Sequence, residues 1–284
     1  MRCDKALAER GLCRSRTRAQ ALIEEGRVRV NSELCMKPSF IVSSTDTIEI
    51  SPLPSARQQP AFMGGFDYSH YVSRGAAKLL SAYNAFGPEG LERPADRKCL
   101  DIGASTGGFT DVMLQNGAEL VFAVDVGTNQ LAWKLRQDPR VVSMEQFNFR
   151  YAEKTDFEQE PSFASIDVSF ISLSLILPAL HRVLANQGQV VALVKPQFEA
   201  GREQIGKNGI IRDAKVHQNV LESVTAMAVE EGFSVLGLDF SPIQGGHGNI
   251  EFLAYLKKEE SASNQVLAEI AEVVERAHSQ FKNE

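Results

Sequence analysis

Four charged residues stand where charge is costly. Asp167 closes the apolar run FASID, Lys195 closes VVALVK, Glu251 lies inside NIEFLAYL, and Lys78 sits in SRGAAKLL. A charged residue at the end of an apolar strand lies at the ligand-facing edge of an open parallel sheet. A carboxylate inside an apolar run is costly unless it is paired. Two lysines and two acids brought together could hold a lysine able to take a proton from a hydroxyl. Burial and a like-charged neighbour loosen a lysine's proton, and nearby acids oppose that shift. Taken singly, each residue also reads as half of a surface salt bridge, Lys78 above all.

A second chemistry-bearing segment is DIGASTGGFTD (101–111), which follows an apolar strand and opens a helix. Glycines there let the backbone approach a ligand, and a helix start offers free N–H groups. The spacing G-x-x-x-G-G departs from the dinucleotide fingerprint and lacks the G-K-[ST] of a phosphate loop. Asp101, just before the glycines, would repel a pyrophosphate. Asp125 ends the next strand, 22 residues after Gly103, where an acid binds ribose hydroxyls in nucleotide-binding α/β folds. S-adenosylmethionine carries an ammonium, a sulfonium and a ribose but no phosphate, so acids at both positions suit it better than a dinucleotide. Phe147, Asn148 and Phe149 could frame its adenine. His247, in GGHGNIE, is a weaker substrate-contact candidate, and the single Trp133 reads as helix packing.

These residues need elements to carry them. From about residue 70 the pattern alternates helix and strand. Strands are expected at 98–103, 119–127, 140–145, 163–170, 189–196, 234–242 and 249–258. Helices are expected at 71–86, after the Gly-rich loop, at NQLAWKLRQD, at SLILPALHRVLANQG, at 216–233 and at about 262–281. That alternation predicts an α/β fold with a mostly parallel seven-stranded sheet covered on both faces. The last two strands are joined by a connection too short for a crossover helix, so the last strand is expected to run antiparallel. Residues 1–50 differ: helices at 3–12 and 15–26, then short strands at RVRVN and 40–50, make a small α+β unit. The proline-bearing stretch 51–62 reads as linker, and Gly64–Gly65 as a hinge. The division is 1–60, a linker at 61–69, and 70–284.

The chain has 284 residues with ordinary globular composition: 43% hydrophobic, 23% charged. No apolar run is long enough to cross a bilayer, and no apolar core follows the N-terminus as in a secretory signal. The four cysteines (Cys3, Cys13, Cys35, Cys99) have no C-x-x-C spacing, so neither a zinc site nor a disulfide framework is expected, and a cytoplasmic location fits. The net charge of −6 conceals a split, with +3 over residues 1–60 and −9 over the rest. Arg10, Arg14, Arg16 and Arg18 fall within nine positions. Such a cluster can neutralise nucleic-acid phosphates, or it can be a solvated helix face.

DKALAERGLCRSRTRAQALIEEGRVRVNSE resembles an S4-type RNA-binding domain, and the remainder resembles the FtsJ-like Rossmann-type methyltransferases. Over nearly its full length the chain is similar to the TlyA (hemolysin A-like) family of ribosomal RNA methyltransferases. The shared blocks are YVSRGAAKL, DIGASTGGFTD, DVGTNQLAWKL, DVSFISL, LVKPQFE and GNIEFL. The resemblance implies a class I methyltransferase fold and S-adenosylmethionine-dependent 2′-O-methylation of cytidine in 16S or 23S ribosomal RNA, with no metal. It implies a Lys-Asp-Lys-Glu catalytic set matching Lys78, Asp167, Lys195 and Glu251, with Lys195 as base or alkoxide stabiliser. It implies cofactor contacts at Asp101, Gly103, Ala104, Ser105, Gly107, Gly108, Phe109 and Asp125. Asn148 stands where related enzymes often carry an acid near the adenine. RNA contacts are expected at Arg2, Lys5, Arg14, Ser15, Arg16, Arg18, Arg27 and Arg29. The expected partners are ribosomal RNA and ribosomal subunits, with no membrane and a monomeric state. The competing readings are a non-catalytic RNA-binding or assembly factor on the same fold and, less favoured, a cytolysin.

Overall fold

A computed structural model of the protein describes residues 1–10, 12, 19, 23, 28–31, 33–35, 37–43, 45–50, 62–63, 66–68, 70–206 and 209–282. The chain divides into two compact units, Met1–Ala61 and Phe62–Glu284.

In the first unit, helix α1 (Cys3–Glu9) buries Cys3, Ala6 and Leu7. It ends three residues before the expected boundary, and Leu12 is exposed rather than sharing the apolar face. Ala19 and Ile23, from the expected second helix, are both helical and buried; most of that helix lies outside the described residues. Strand β1 (Val28–Val30) alternates as its sequence demands, Val28 and Val30 inward and Arg29 outward. It pairs antiparallel with β2 (Glu33–Leu34) and β3 (Ile48–Ile50). The strand expected over 40–50 is confined to its last three residues. Before it, Asp46 accepts hydrogen bonds from the Ser43 N–H and the Asn31 amide, which turns the chain. Within the expected linker, β4 (Phe62–Met63) and β5 (Phe66–Asp67) pair antiparallel, and Gly64–Gly65, the expected hinge, lies outside the described residues.

The second unit is a seven-stranded sheet with order β11-β12-β10-β9-β6-β7-β8. Its strands are β6 (Lys98–Ile102), β7 (Leu120–Val124), β8 (Val141–Met144), β9 (Phe163–Ile166), β10 (Gln189–Val194), β11 (Phe233–Phe240) and β12 (Phe252–Lys258). All run parallel except β12, which lies antiparallel between β10 and β11. Side chains alternate between two cores. Leu100, Ile102, Phe122 and Ala192 pack on one face, and Cys99, Val121, Val191 and Leu193 on the other. Helices α2 (Ala76–Phe86) and α3 (Gly108–Gln115) cover the second face. After them come α4 (Trp133–Arg136), α5 (Leu177–Val183), α6 (Pro196–Glu199), α7 (Ala214–Glu230) and α8 (Ile270–Phe281). Of these, α5, α7 and α8 cover the first face. Asp213 caps α7 by accepting the Lys215 N–H at 2.8 Å.

Several elements are shorter than their periodicity predicts, three of them with consequences for named residues. Helix α4 is a single turn, and this leaves Trp133 69% exposed instead of packed. Strand β9 stops at Ile166, so Asp167–Phe170 is loop. Helix α8 starts at Ile270; Val266 joins the same apolar face from the preceding coil.

Candidate active site

The sheet direction explains the site. The parallel strands β9 and β10 end at one edge, and Asp167 and Lys195 follow them there. Strand β12 runs the other way, so it begins at that edge, and Glu251 is the residue before it. Glu251 therefore lies at the mouth of the sheet, one residue outside the strand that was expected to contain it. Lys78 comes from the first turn of α2. That turn, Gly75-Ala76-Ala77, has almost no side chain and lies against Gly108. A Cβ on Gly108 would reach to 3.1 Å from the Ala76 nitrogen.

All four charged groups meet. Lys78 Nζ lies 2.7 Å from Glu251 Oε2 and 3.2 Å from Asp167 Oδ2. Lys195 Nζ lies 2.5 Å from Asp167 Oδ1 and 3.1 Å from Ser169 Oγ. Lys78, Lys195 and Glu251 are each at most 7% exposed. The set is neutral overall, which buried charge requires, but its charge is unevenly shared. Burial alone would depress the Lys78 ammonium; the carboxylates of Asp167 and Glu251 outweigh it and hold that pKa above the ordinary lysine value. Burial alone would raise Asp167, and Lys78 and Lys195 together pull it below the usual carboxylate range. Lys78 is thus fixed as a cation by two acids. Among the described residues, Lys195 has one carboxylate, and shares it.

The four residues line a cleft of about 640 Å³ together with Arg74, Phe170 and Phe198. Phe170 is 91% exposed and takes φ +64°, a conformation rare for a bulky residue and common at functional sites. Its ring stands 5.1 Å from that of Phe198. Asn249 holds the far wall. It donates to the carbonyls of Gly209 and Gly246 and accepts the Ile211 N–H, tying two loops together.

A second cavity of about 300 Å³ adjoins the cleft and shares Gly103, Ser105, Asp167, Ser169 and Phe170 with it. Its walls include Val124, Val126, Phe147, Phe149 and Ile171, and its charged side chains are Asp125 and Asp167. The Asp125 carboxylate accepts the N–H groups of Ser105 (2.8 Å) and Gly127 (2.7 Å), which fixes the Gly-rich loop against the end of β7. Gly103 has φ +85°, and a Cβ there would lie 2.5 Å from the Asp167 carbonyl oxygen, so only glycine permits this approach of the two strand ends.

The remaining expected cofactor residues separate by position. Ala104, Ser105, Gly108 and Phe109 line the cleft, and Asn148 lines the smaller cavity. Gly107 lines neither. At φ +92° it packs beneath Leu131 and Leu135, so it shapes the loop from behind. Asp101 reaches the cleft but is 1% exposed and already accepts from Thr110 N–H and Oγ1 (2.8 and 2.6 Å) and Ser165 Oγ (3.2 Å). Burial pushes its carboxyl up to about 6, against the pull of those hydrogen bonds. It holds the start of α3 more directly than it faces a ligand. Asn148 Oδ1 accepts the Arg150 N–H, which leaves its NH₂ as the free end.

Sequence reasoning did not find Ser169, Phe170, Phe198 or Asn249. DVSFISL reads as continuing strand, and no local signal marks where β9 stops. Arg14, Ser15, Arg16, Arg18 and Arg27 of the first unit lie outside the described residues, and so does the side chain of His247 in the second. Arg2 pairs with Asp4 (3.1 Å), Lys5 with Glu9 (3.4 Å), and Arg29 is exposed on β1. Arg10 donates to the carbonyls of Ser43 and Asp46, so it serves the fold of its own unit.

Residues 71–258 match the FtsJ-like methyltransferase family and residues 1–48 match the S4 domain. A protein of Bacillus subtilis, provisionally named an rRNA methyltransferase, is 48% identical over 99% of this chain and 95% of its own length. The 16S/23S rRNA (cytidine-2′-O)-methyltransferase TlyA of Mycobacterium tuberculosis is 40% identical over 90% of this chain and 89% of its own. A solved structure from Streptococcus thermophilus, carrying a provisional hemolysin name, superposes with a TM-score of 0.74 at 56% identity, covering 100% of this chain and 97% of that one. With the FtsJ-like model matching residues 71–258, the S4 domain ahead of it and relatives of this identity and coverage, the chain belongs to the FtsJ-like methyltransferases of the TlyA family.

Proposed function

We propose that the protein transfers a methyl group from S-adenosylmethionine to the 2′-hydroxyl of a cytidine in ribosomal RNA of one or both subunits. The observation that carries this reading is the buried Lys78–Asp167–Lys195–Glu251 set, which can accept a hydroxyl proton beside a cavity suited to a nucleoside. The smaller cavity fits the cofactor: apolar and aromatic walls for adenine, Asp125 at the edge for ribose hydroxyls, and no lysine or arginine among its lining residues. Gly103, Ala104, Ser105, Gly108 and Phe109 would hold the amino-acid end along the cleft, and Asn148 would offer its NH₂ to the adenine edge.

When bound, S-adenosylmethionine supplies a methyl carbon on a cationic sulfur, which departs as a neutral thioether. The chain's own groups do the rest. Lys195 Nζ takes the hydroxyl proton as the oxygen gains its new bond to carbon. Asp167 holds Lys195 and stabilises the ammonium it becomes. Lys78, kept cationic by Glu251 and Asp167, cancels part of the charge on Asp167. The exposed Phe170 ring offers a flat surface on which the target base can stack. Residues 1–60 anchor RNA through their basic side chains, residues 70–284 carry the chemistry, and the protein acts as a monomer in the cytoplasm, where its substrate is. Among the described residues, no helix is long and apolar enough to cross a membrane.

The test is methyl transfer from labelled S-adenosylmethionine to purified small and large ribosomal subunits, wild type beside Lys195→Ala, with the product nucleoside identified by mass spectrometry. The expected product is 2′-O-methylcytidine with wild type alone. A base-methylated nucleoside, or equal transfer by Lys195→Ala, would overturn the reading.

A further inference from the structure

We propose that Ser169 is a positioning residue that sets the direction of the Lys195 lone pair; this rests on Lys195 being the base in the function proposed above. A neutral amine has two N–H bonds and one lone pair at the corners of a tetrahedron. One acceptor cannot fix them, because the group still turns about its Cε–Nζ bond. Two acceptors can. Lys195 Nζ has two: Asp167 Oδ1 at 2.5 Å and Ser169 Oγ at 3.1 Å. With both N–H groups held, the third corner is left for the cleft that Lys195 lines. The ribose hydroxyl then gives its proton to that corner, and Nζ becomes an ammonium whose other two protons keep their partners.

The neighbouring lysine supports this assignment by contrast. Both acceptors of Lys78 are carboxylates, Asp167 and Glu251, and they keep it an ammonium. The second acceptor of Lys195 is a neutral hydroxyl. It orients an N–H without adding a negative charge that would hold the proton in place. Ser169 is also well anchored. On one side the Asp167 N–H donates to the Ile102 carbonyl at 2.9 Å. On the other, Ser172 Oγ and the Leu173 N–H donate to Glu199 at 2.6 and 2.9 Å. Between these ties Phe170 takes its left-handed turn, with Ser169 immediately before it.

The experiment compares wild type, Ser169→Ala and Ser169→Thr in single-turnover methyl transfer at saturating S-adenosylmethionine and ribosomal subunit. Equilibrium binding of S-adenosylmethionine and the NMR signals of the Lys195 Nζ hydrogens are measured on the same proteins. Ser169→Ala should lower the single-turnover rate about tenfold, leave the cofactor Kd within twofold, and speed solvent exchange of the Nζ hydrogens. Ser169→Thr, which keeps the hydroxyl, should restore rate and exchange to within about threefold. Ser169→Ala at the wild-type rate overturns the proposal. So does equal loss in both variants, or a rate loss matched by loss of cofactor binding, since those mark a structural role. Absence of transfer by wild type itself would instead overturn the underlying reading, and this assignment with it.

Discussion

The two adjoining cavities solve opposite problems with similar residue types. The smaller one is walled by Val124, Val126, Phe147, Phe149 and Ile171, and the acid at its edge, Asp125, is engaged by backbone N–H groups. The larger one brings two lysines and two carboxylates into direct contact. In the function proposed above, the first arrangement would recognise a ligand by shape and a few hydrogen bonds. The second would manage a proton, because there the charge of one side chain bears directly on the charge of the next. The difference teaches that an acid's partners, and not its presence at a strand end, assign its work. Burial would raise both, but Asp167 meets two lysines that outweigh it and hold it below its usual range, whereas Asp101 meets only hydroxyls and a backbone N–H, which do not, and burial pushes it up to about 6.

The largest expected effect tests the proton-managing side. Lys195→Ala should lower the methyl-transfer rate about a thousandfold, within the range for loss of a general base, while cofactor binding stays within twofold. Rate measurements with parallel equilibrium binding check this. A matched loss in both would merge the two cavities into one functional unit and break the comparison.

Next in size is the charge balance. Lys78→Met leaves Asp167 and Glu251 facing each other without their shared cation, and removing one partner from a buried ionic set costs about 4 kcal/mol. Urea unfolding should show that loss. Adding Glu251→Leu should recover a large part of it, because the orphaned charge goes too, yet methyl transfer should stay lost. Recovery of stability without recovery of rate separates what the set does for folding from what it does for chemistry.

Much of this was legible before any coordinates. Asp167, Lys195 and Glu251 announce themselves as charges beside apolar runs, and the alternation of strands and helices placed them at one edge. The antiparallel direction of β12 followed from the short connection before it, and that reversal is what brings Glu251 to Asp167 and Lys78. Other features could not be read. Strand β9 stops at Ile166 although VSFIS continues its apolar pattern, because the close approach of Gly103 to the Asp167 backbone ends the ladder. Ser169 and Phe170 are therefore loop residues with β-like sequence. Trp133 was assigned to packing on helical spacing, but a one-turn helix has no buried stripe to offer it. Gly107 is a cofactor contact only as the family resemblance implies; the structure shows that a Cβ there would meet Leu131 and Leu135.

A pH experiment sharpens the contrast between the acids. The folded state holds the Asp101 proton up to about pH 6, whereas the unfolded chain releases it near the ordinary value of 3.8. Its contribution to stability is therefore fully present below 3.8 and is lost as pH rises through 6, by about 3 kcal/mol at most. Asp101→Asn removes that dependence and can still accept from Thr110. Relative to wild type, the variant should gain about 3 kcal/mol between pH 3.5 and pH 7.5 in chemical denaturation. A gap that does not move with pH would mean that Asp101 is as well compensated as Asp167, and the two acids would no longer differ in kind.

The smallest expected effect tests the recognising side. Both oxygens of Asp125 already accept a backbone N–H, one from Ser105 and one from Gly127, so the carboxylate is oriented before any ligand arrives. Each oxygen keeps a further lone pair for a ribose hydroxyl. Asparagine in its place can accept at one oxygen only and turns an NH₂ toward the other backbone donor. A hydrogen bond to a charged group is worth about 1.5–3 kcal/mol, so Asp125→Asn should weaken S-adenosylmethionine binding about tenfold or more by calorimetry. At saturating cofactor its single-turnover rate should stay within about threefold of wild type. The acid lines the smaller cavity and not the cleft that Lys78 and Lys195 line, and its hydrogen-bond partners are the backbone of Ser105 and Gly127. If the saturated rate fell with the affinity, the Gly-rich loop that Asp125 fixes would have to be positioning the reacting atoms as well as holding the cofactor, and recognition and proton transfer would share a single frame.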